Sequence, residues 1–136
     1  MKISNHLFRS VMVVLIFVLL SSCDPPHNIF LINTTESEAK ISFHFNETFE
    51  NRLLKDDVTG DSLIVYLKPN ETYDMDFGIG TWSDDEVNTL VKSIRSLEIE
   101  TIDTKSIYKT EKAMRSLFVN NRTGRWWDTE INLEIQ

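Results

Sequence analysis

The apolar and polar positions of this chain change period several times, and each change marks an element. The first feature is Val11 to Leu20, an unbroken apolar run of ten residues that follows Lys2 and Arg9. A spanning helix needs about 20 apolar residues to cross a hydrocarbon core roughly 30 Å thick, and this run is half that. Arg9 and Ser10 cut it off from Leu7 and Phe8. As a core helix it has no polar face and needs burial all round. A basic start, a short apolar core and then small residues is the layout of a secretory signal.

Beyond the signal, Ile29 to Ile32 is a short bounded apolar run, suited to a strand covered on both faces. A turn over Thr34–Glu38 leads to alternation, with Ile41, Phe43 and Phe45 on one face and Ser42 and His44 on the other. The pair reads as an opening hairpin. Residues 47–61 are polar and irregular, with turn signals at Asp56-Asp57 and Thr59-Gly60-Asp61 and one short strand or helical turn at Leu53-Leu54. Leu63–Leu67 is strand-like and ends in the turn Lys68-Pro69-Asn70-Glu71, where proline presets φ and asparagine tolerates unusual angles. Tyr73, Met75 and Phe77 then alternate with Thr72, Asp74 and Asp76, which predicts a second hairpin.

Gly78-Ile79-Gly80 ends that pattern. Ser83-Asp84-Asp85-Glu86 has capping-box form, and its acids suit the positive end of a helix dipole. Val87, Leu90, Val91 and Ile94 follow at helical spacing, predicting a helix from about Asp84 to Arg95. Leu97, Ile99 and Ile102 return to strand pattern, with a turn at Asp103-Thr104-Lys105 and a short strand at Ile107-Tyr108. Thr110 caps a second helix that buries Met114, Leu117 and Phe118 and ends at Asn120–Gly124. Trp126 to Ile135 reads as one long strand, with Trp127, Ile131, Leu133 and Ile135 inward and Trp126 outward. About seven strands with two short helices predict a mainly β fold, an antiparallel β-sandwich of immunoglobulin-like or transthyretin-like kind. The late helix–strand alternation leaves an α+β fold as the alternative.

The processing site follows from the residues after the apolar run. Leu20-Ser21-Ser22-Cys23 puts a branched apolar residue and two small ones before the only cysteine of the chain. Without a partner that thiol forms no internal disulfide, and an unpaired thiol in a secreted chain calls for an explanation. An ordinary signal with a chance free thiol is the competing reading. Asp24–His27 reads as a short tether. The expected organisation is a signal over 1–22, a lipidated Cys23 with tether over 23–27, and one domain over 28–136.

These motifs carry a resemblance. The Leu20–Cys23 lipobox, the Asn33-Thr34-Thr35 turn, the Leu67–Thr72 turn and the closing Trp126-Trp127…Ile131–Ile135 segment resemble small Bacteroidota-type lipoproteins with β-sandwich-like domains. The resemblance implies that Cys23 is thioether-linked to diacylglycerol and that the signal is cut between Ser22 and Cys23. It also implies a place in the cell envelope of a Gram-negative bacterium, periplasmic or surface-exposed. Two or three acyl chains make such attachment stable where one is marginal. No other functional residue carries over.

Charge then limits partners. Without residues 1–22 the chain has 114 residues, 12 of them basic and 21 acidic, a formal charge of −9. That length suits one domain. No basic stripe is present to neutralise phosphates, which argues against a nucleic-acid partner. The same charge disfavours the domain lying flat on anionic lipid.

Candidates for chemistry are few. His6 leaves with the signal, His27 sits in the tether and His44 on a polar strand face, none with a partner at zinc spacing. Asp74 with Asp76, and Asp84, Asp85 and Glu86, lack the pattern of a calcium loop. No Gly-x-Ser-x-Gly nucleophile motif is present, and Gly78-x-Gly80 lacks the rest of a phosphate fingerprint. No cofactor or metal is implied. Asn-x-Thr sequences begin at Asn33, Asn46, Asn70 and Asn121 and read as turn chemistry, and Asp61-Ser62-Leu63 resembles a Bacteroidota O-glycosylation sequon. Trp126 is a candidate binding-surface residue, against a reading in which a helix covers it, and Trp82 either joins it or plugs the core. The expected function is a lipid-tethered, non-enzymatic module that binds another envelope protein or a glycan. The alternative is an envelope hydrolase with carboxylates gathered by the fold.

Overall fold

Alternation of side chains makes each strand of this chain one-sided, and two sheets close over the apolar sides. The computed structural model describes residues 25–46, 54, 57–125 and 128–136. The predicted signal, Cys23, Trp126 and Trp127 therefore lie outside the described residues. In chain order the elements are β1 (Pro26–Asn33), β2 (Ala39–Phe45), β3 (Val58–Thr59), β4 (Ser62–Leu67), β5 (Thr72–Ile79) and α1 (Asp84–Ser93). After these come β6 (Ile94–Glu100), β7 (Lys105–Tyr108), α2 (Glu111–Asn120), β8 (Arg122–Arg125) and β9 (Asp128–Ile135). One sheet has the order β5-β1-β9-β8 and the other β3-β4-β2-β6-β7. Strands take 53 % of the described residues, which decides for a mainly β sandwich over the α+β alternative.

Inward residues match the faces predicted for β2, β5 and β9, and β4 turns one face inward as well. Ile41, Phe43 and Phe45 of β2, Leu63, Val65 and Leu67 of β4, Met75 of β5, and Ile131, Leu133 and Ile135 of β9 are all buried. With Ile29 and Leu31 of β1 and Leu97 of β6 they form one continuous core. Val87, Leu90 and Val91 of α1 and Met114 and Phe118 of α2 join it from the helices. Burying such side chains contributes about 1.5–3 kcal/mol each before the entropy of ordering is set against it.

The pairing of the strands differs from the expectation. Neither predicted hairpin forms. β1 pairs with β5 and β9, whereas β2 pairs with β4 and β6. The turns lie where the sequence puts them, but each carries the chain across the sandwich instead of back along one sheet. The sandwich is also not wholly antiparallel, because β1 runs parallel to β9. The segment Pro25–His27 is not tether: Pro26 pairs with Ile79, and the Gly80 N–H donates to the Pro25 carbonyl at 3.1 Å. Proline is tolerated here because this end of β1 is paired to β5, while the register with β9 begins at Ile29.

Two boundaries also shift. α1 stops at Ser93, and Ile94 turns directly into β6 with extended backbone. The segment expected only to end α2 forms β8, paired to β9 from Arg122↔Ile131 to Arg125↔Asp128. The last strand is described from Asp128 to Ile135, and Trp126 and Trp127, expected at its start, lie outside the described residues. Gly78 at φ 98° accommodates a register shift in β5, where Asp76 pairs with Asn28 and Ile79 with Pro26.

One buried amide joins the two sheet crossings. Asn33 is fully buried at the end of β1. Its two Nδ2 hydrogens are shared among the carbonyls of Ser37 (2.8 Å), Leu67 (2.9 Å) and Lys68 (3.1 Å). Its Oδ1 accepts from the Thr35 N–H at 3.0 Å and the Thr35 hydroxyl at 2.7 Å. Its own backbone bonds to Glu71 and Asn70, and Asn70 holds the left-handed φ of 62° that asparagine tolerates. Without this amide the Leu67 carbonyl and the Thr35 N–H each lose a partner. The Ser37 carbonyl keeps the Thr35 hydroxyl at 2.9 Å and the Lys68 carbonyl keeps the Glu71 N–H at 3.0 Å. Asn33→Ala should therefore lower unfolding stability by about 1–3 kcal/mol. A urea midpoint shifted at unchanged slope checks this, and a loss below about 0.5 kcal/mol would mean the crossings hold without it.

Candidate functional site

The described chain starts two residues after Cys23, and a cleft carrying charged side chains lies at that same end of the sandwich. Trp82 organises it. Ser83 caps α1 as predicted, accepting from the Glu86 N–H at 3.2 Å while Glu86 takes the Ser83 N–H at 2.8 Å. Trp82 and Val87, on either side of that cap, are both buried in the staple arrangement. The Trp82 indole donates to the Asn28 carbonyl at 2.8 Å, its N–H donates to Thr129 Oγ1 at 2.6 Å, and its carbonyl accepts from Arg122 at 2.8 Å. Trp82 is thus bonded to β1, β9 and β8 at once and is only 2 % exposed. It plugs the core, with its indole and backbone polar groups spent inward, and also lines the cleft beside it.

His27 completes this cluster. Its ring lies 3.9 Å from that of Trp82 and 6.1 Å from that of Phe77, and Phe77 meets Trp82 edge-on at 5.1 Å. His27 Nε2 is buried without a hydrogen-bond partner among the described residues. Burial holds the imidazole below its ordinary value and outweighs the opposing pull of the nearby Glu86 carboxylate. Glu86 itself is held low: burial opposes its charge, but the bonds from Ser83 prevail. Glycine at position 80 makes room, since a Cβ there would sit 3.2 Å from His27 Nδ1.

The cleft beside Trp82 has a volume of about 400 Å³ and is lined by Thr81, Asp84, Arg122, Gly124, Arg125 and Thr129, among others. Its charges are already engaged. Arg122 pairs with Asp84 at 2.9 Å, and Asp84 also meets Arg115 of α2 at 3.2 Å. Arg115 donates in turn to Asn88 of α1 at 2.7 Å, so the seam between the helices is polar. A second cleft of about 220 Å³ opens between β7 and β9. Ile99, Tyr108, Leu117, Leu133 and Ile135 line it with Ser106 and Glu134.

Neither cleft brings two carboxylates face to face among the described residues. No group of three or more His, Cys, Asp or Glu side chains is placed to hold a metal ion among them. Asp74 and Asp76 share the outer face of β5; burial and then the Asp76 charge raise Asp74, while Asn28 bonds it at 3.0 Å. His44 reaches Ser62 Oγ at 2.8 Å, a pairing no motif announces. The Ser62 hydroxyl donates to Asp61 at 2.8 Å, so the acid backs the serine and not the histidine. That is the reverse of the order in which a catalytic acid orients an imidazole. The nearby Ile64 and Tyr66 are 46 % and 58 % exposed on the same face of β4. Among the described residues, no helix is long and apolar enough to cross a membrane.

No protein-family model, curated protein or solved structure matches the chain.

The His27 contact has a pH signature. Folding favours the neutral ring, so its contribution is complete above the ordinary histidine value of 6.5 and is lost as pH falls below it. Wild-type melting temperature should therefore drop on acidification through that value, before the carboxylates titrate. His27→Phe, which keeps an aromatic ring against Trp82, should flatten that part of the profile. An unchanged slope would assign it to other groups.

Proposed function

We propose that this chain is the precursor of a membrane-anchored envelope lipoprotein, cut before Cys23 and held by fatty acyl chains on that cysteine. One observation carries the reading: Leu20-Ser21-Ser22-Cys23 closes a short apolar run, and the folded domain begins at Pro25. Only Asp24 then separates the anchor from the β-sandwich. The tether is shorter than the sequence pattern implies, and the Trp82 end of the domain is the one nearest the bilayer. The sandwich is, in the same proposal, of the immunoglobulin-like or transthyretin-like kind, supported by its two layers and by the β1–β2 and β4–β5 crossings between them.

The domain acts as a non-enzymatic binding or assembly module for another envelope protein or a glycan. Support comes from where its polar groups go. Asp84, the carboxylate side chain lining the larger cleft, is committed to Arg122 and Arg115. Among the described residues Glu134 is the single carboxylate side chain lining the smaller one, which gives the hydrolase alternative no pair to work with in either. Apolar side chains, by contrast, stand exposed on β4 and β7. Trp126 belongs to this proposal on sequence grounds alone, and Trp82 only through the cleft it lines.

Cys23→Ala should abolish labelling by radioactive fatty acid. It should also move the protein from the membrane to the soluble fraction, or leave it uncut with its signal attached. Membrane retention of a cut, unlabelled variant would sink the anchor.

A further inference from the structure

β9 has two halves with different neighbours on its outer side. From Asp128 to Ile131 it is covered by β8, whose register ends at Arg122↔Ile131. The Asn132 N–H still donates to the Asn121 carbonyl at 2.9 Å, and there the cover stops. The Ile135 carbonyl faces β1, where it takes the Thr34 N–H at 2.9 Å. Backbone groups alternate sides along a strand, so the N–H and C=O of Glu134 point the other way, past the end of β8. No strand pairs with them among the described residues.

The 220 Å³ cleft lies beneath this open edge. Leu133 and Ile135 of β9 form one wall, Ile99 and Tyr108 the facing sheet, and Leu117 of α2 closes one end. Thr104, Ser106, Asn121, Glu134 and Gln136 give the slot a polar rim around these apolar side chains. An unpaired strand edge above such a slot is an arrangement that receives an extended peptide. Main-chain bonds supply affinity, and alternate side chains drop into the slot.

We propose that the open half of β9 docks an extended segment of a partner protein as an added strand, with apolar residues inward and a basic residue opposite Glu134. The proposal rests on the binding-module reading and names its surface and partner class. Charge selects the partner. Glu134 stands at the rim, and Glu130, Asp74 and Asp76 are exposed on the outer face of the same sheet. An antiparallel pairing of two copies centred on Glu134 sets like charges opposite each other, which disfavours a homodimer.

The test is amide NMR on the full chain in detergent micelles. The probe is a synthetic peptide of about eight residues alternating valine with lysine, long enough to span the open edge. Saturable shifts should centre on Ser106, Tyr108, Glu134 and Gln136, with exchange of the Glu134 amide slowed at least about tenfold. Ser106→Trp should fill the slot and block binding at unchanged melting temperature. Glu134→Lys, at an exposed position, should reverse the preference toward a glutamate-for-lysine peptide. Shifts mapping to another surface would overturn the groove while leaving a binding module. No shift at millimolar peptide overturns the groove, and a concentration-dependent β9–β9 dimer without peptide overturns the choice of partner.

Discussion

The buried side chain of Asn33 is the interaction on which the rest of the sandwich depends. Both early crossings between sheets, β1 to β2 and β4 to β5, turn at the same end of the domain and lie against each other there. One primary amide donates to both, to the Ser37 carbonyl on its own crossing and to those of Leu67 and Lys68 on the other. A buried polar group is costly when unpaired and specifying when fully paired. Here it decides that two adjacent runs of alternating residues face one another across the core. The alternative, which their sequence permits equally well, is to zip into flat hairpins.

That choice was not legible in the chain. Period-2 alternation tells which side chains of β2, β5 and β9 go inward, and those faces are as expected, because burial of Phe43, Met75 or Leu133 depends on local pattern alone. It carries no information about which strand lies alongside. The Asn33-Thr34-Thr35 and Lys68–Glu71 turns were visible as turns, but an in-plane hairpin and an out-of-plane crossing use the same residue types. The capping signals of α1 and α2 were legible because they are local chemistry. β8 was not: Arg-Thr-Gly-Arg has no apolar alternation, and it is a strand only because β9 offers it a ladder.

The candidate sites divide in the same way. The proposed role of Cys23 rests on sequence alone, because the lipobox pattern is local. Trp82 was ambiguous, since a tryptophan beside a helix cap suits either a surface or a plug, and only its three bonds to β1, β8 and β9 show that it plugs the core. The pairing of His27 with Trp82 joins positions far apart in the chain and left no local trace. A histidine between a proline pair and a strand looks solvated until the fold closes over it. The slot between β7 and β9 exists because β8 is shorter than the strand it covers, and strand length at an edge is set by the whole sheet.

The parallel pairing of β1 with β9 sets the order of events in folding. Ile29 lies beside Ile131, so the first strand made waits for the last before its sheet is complete. Contacts so distant in sequence carry a large loop-closure cost and slow the search. Until β9 arrives, β1 has β5 on one side and an open flank on the other, and every shorter chain has an unfinished sheet. A nascent chain of this design is held back from early closure by its topology.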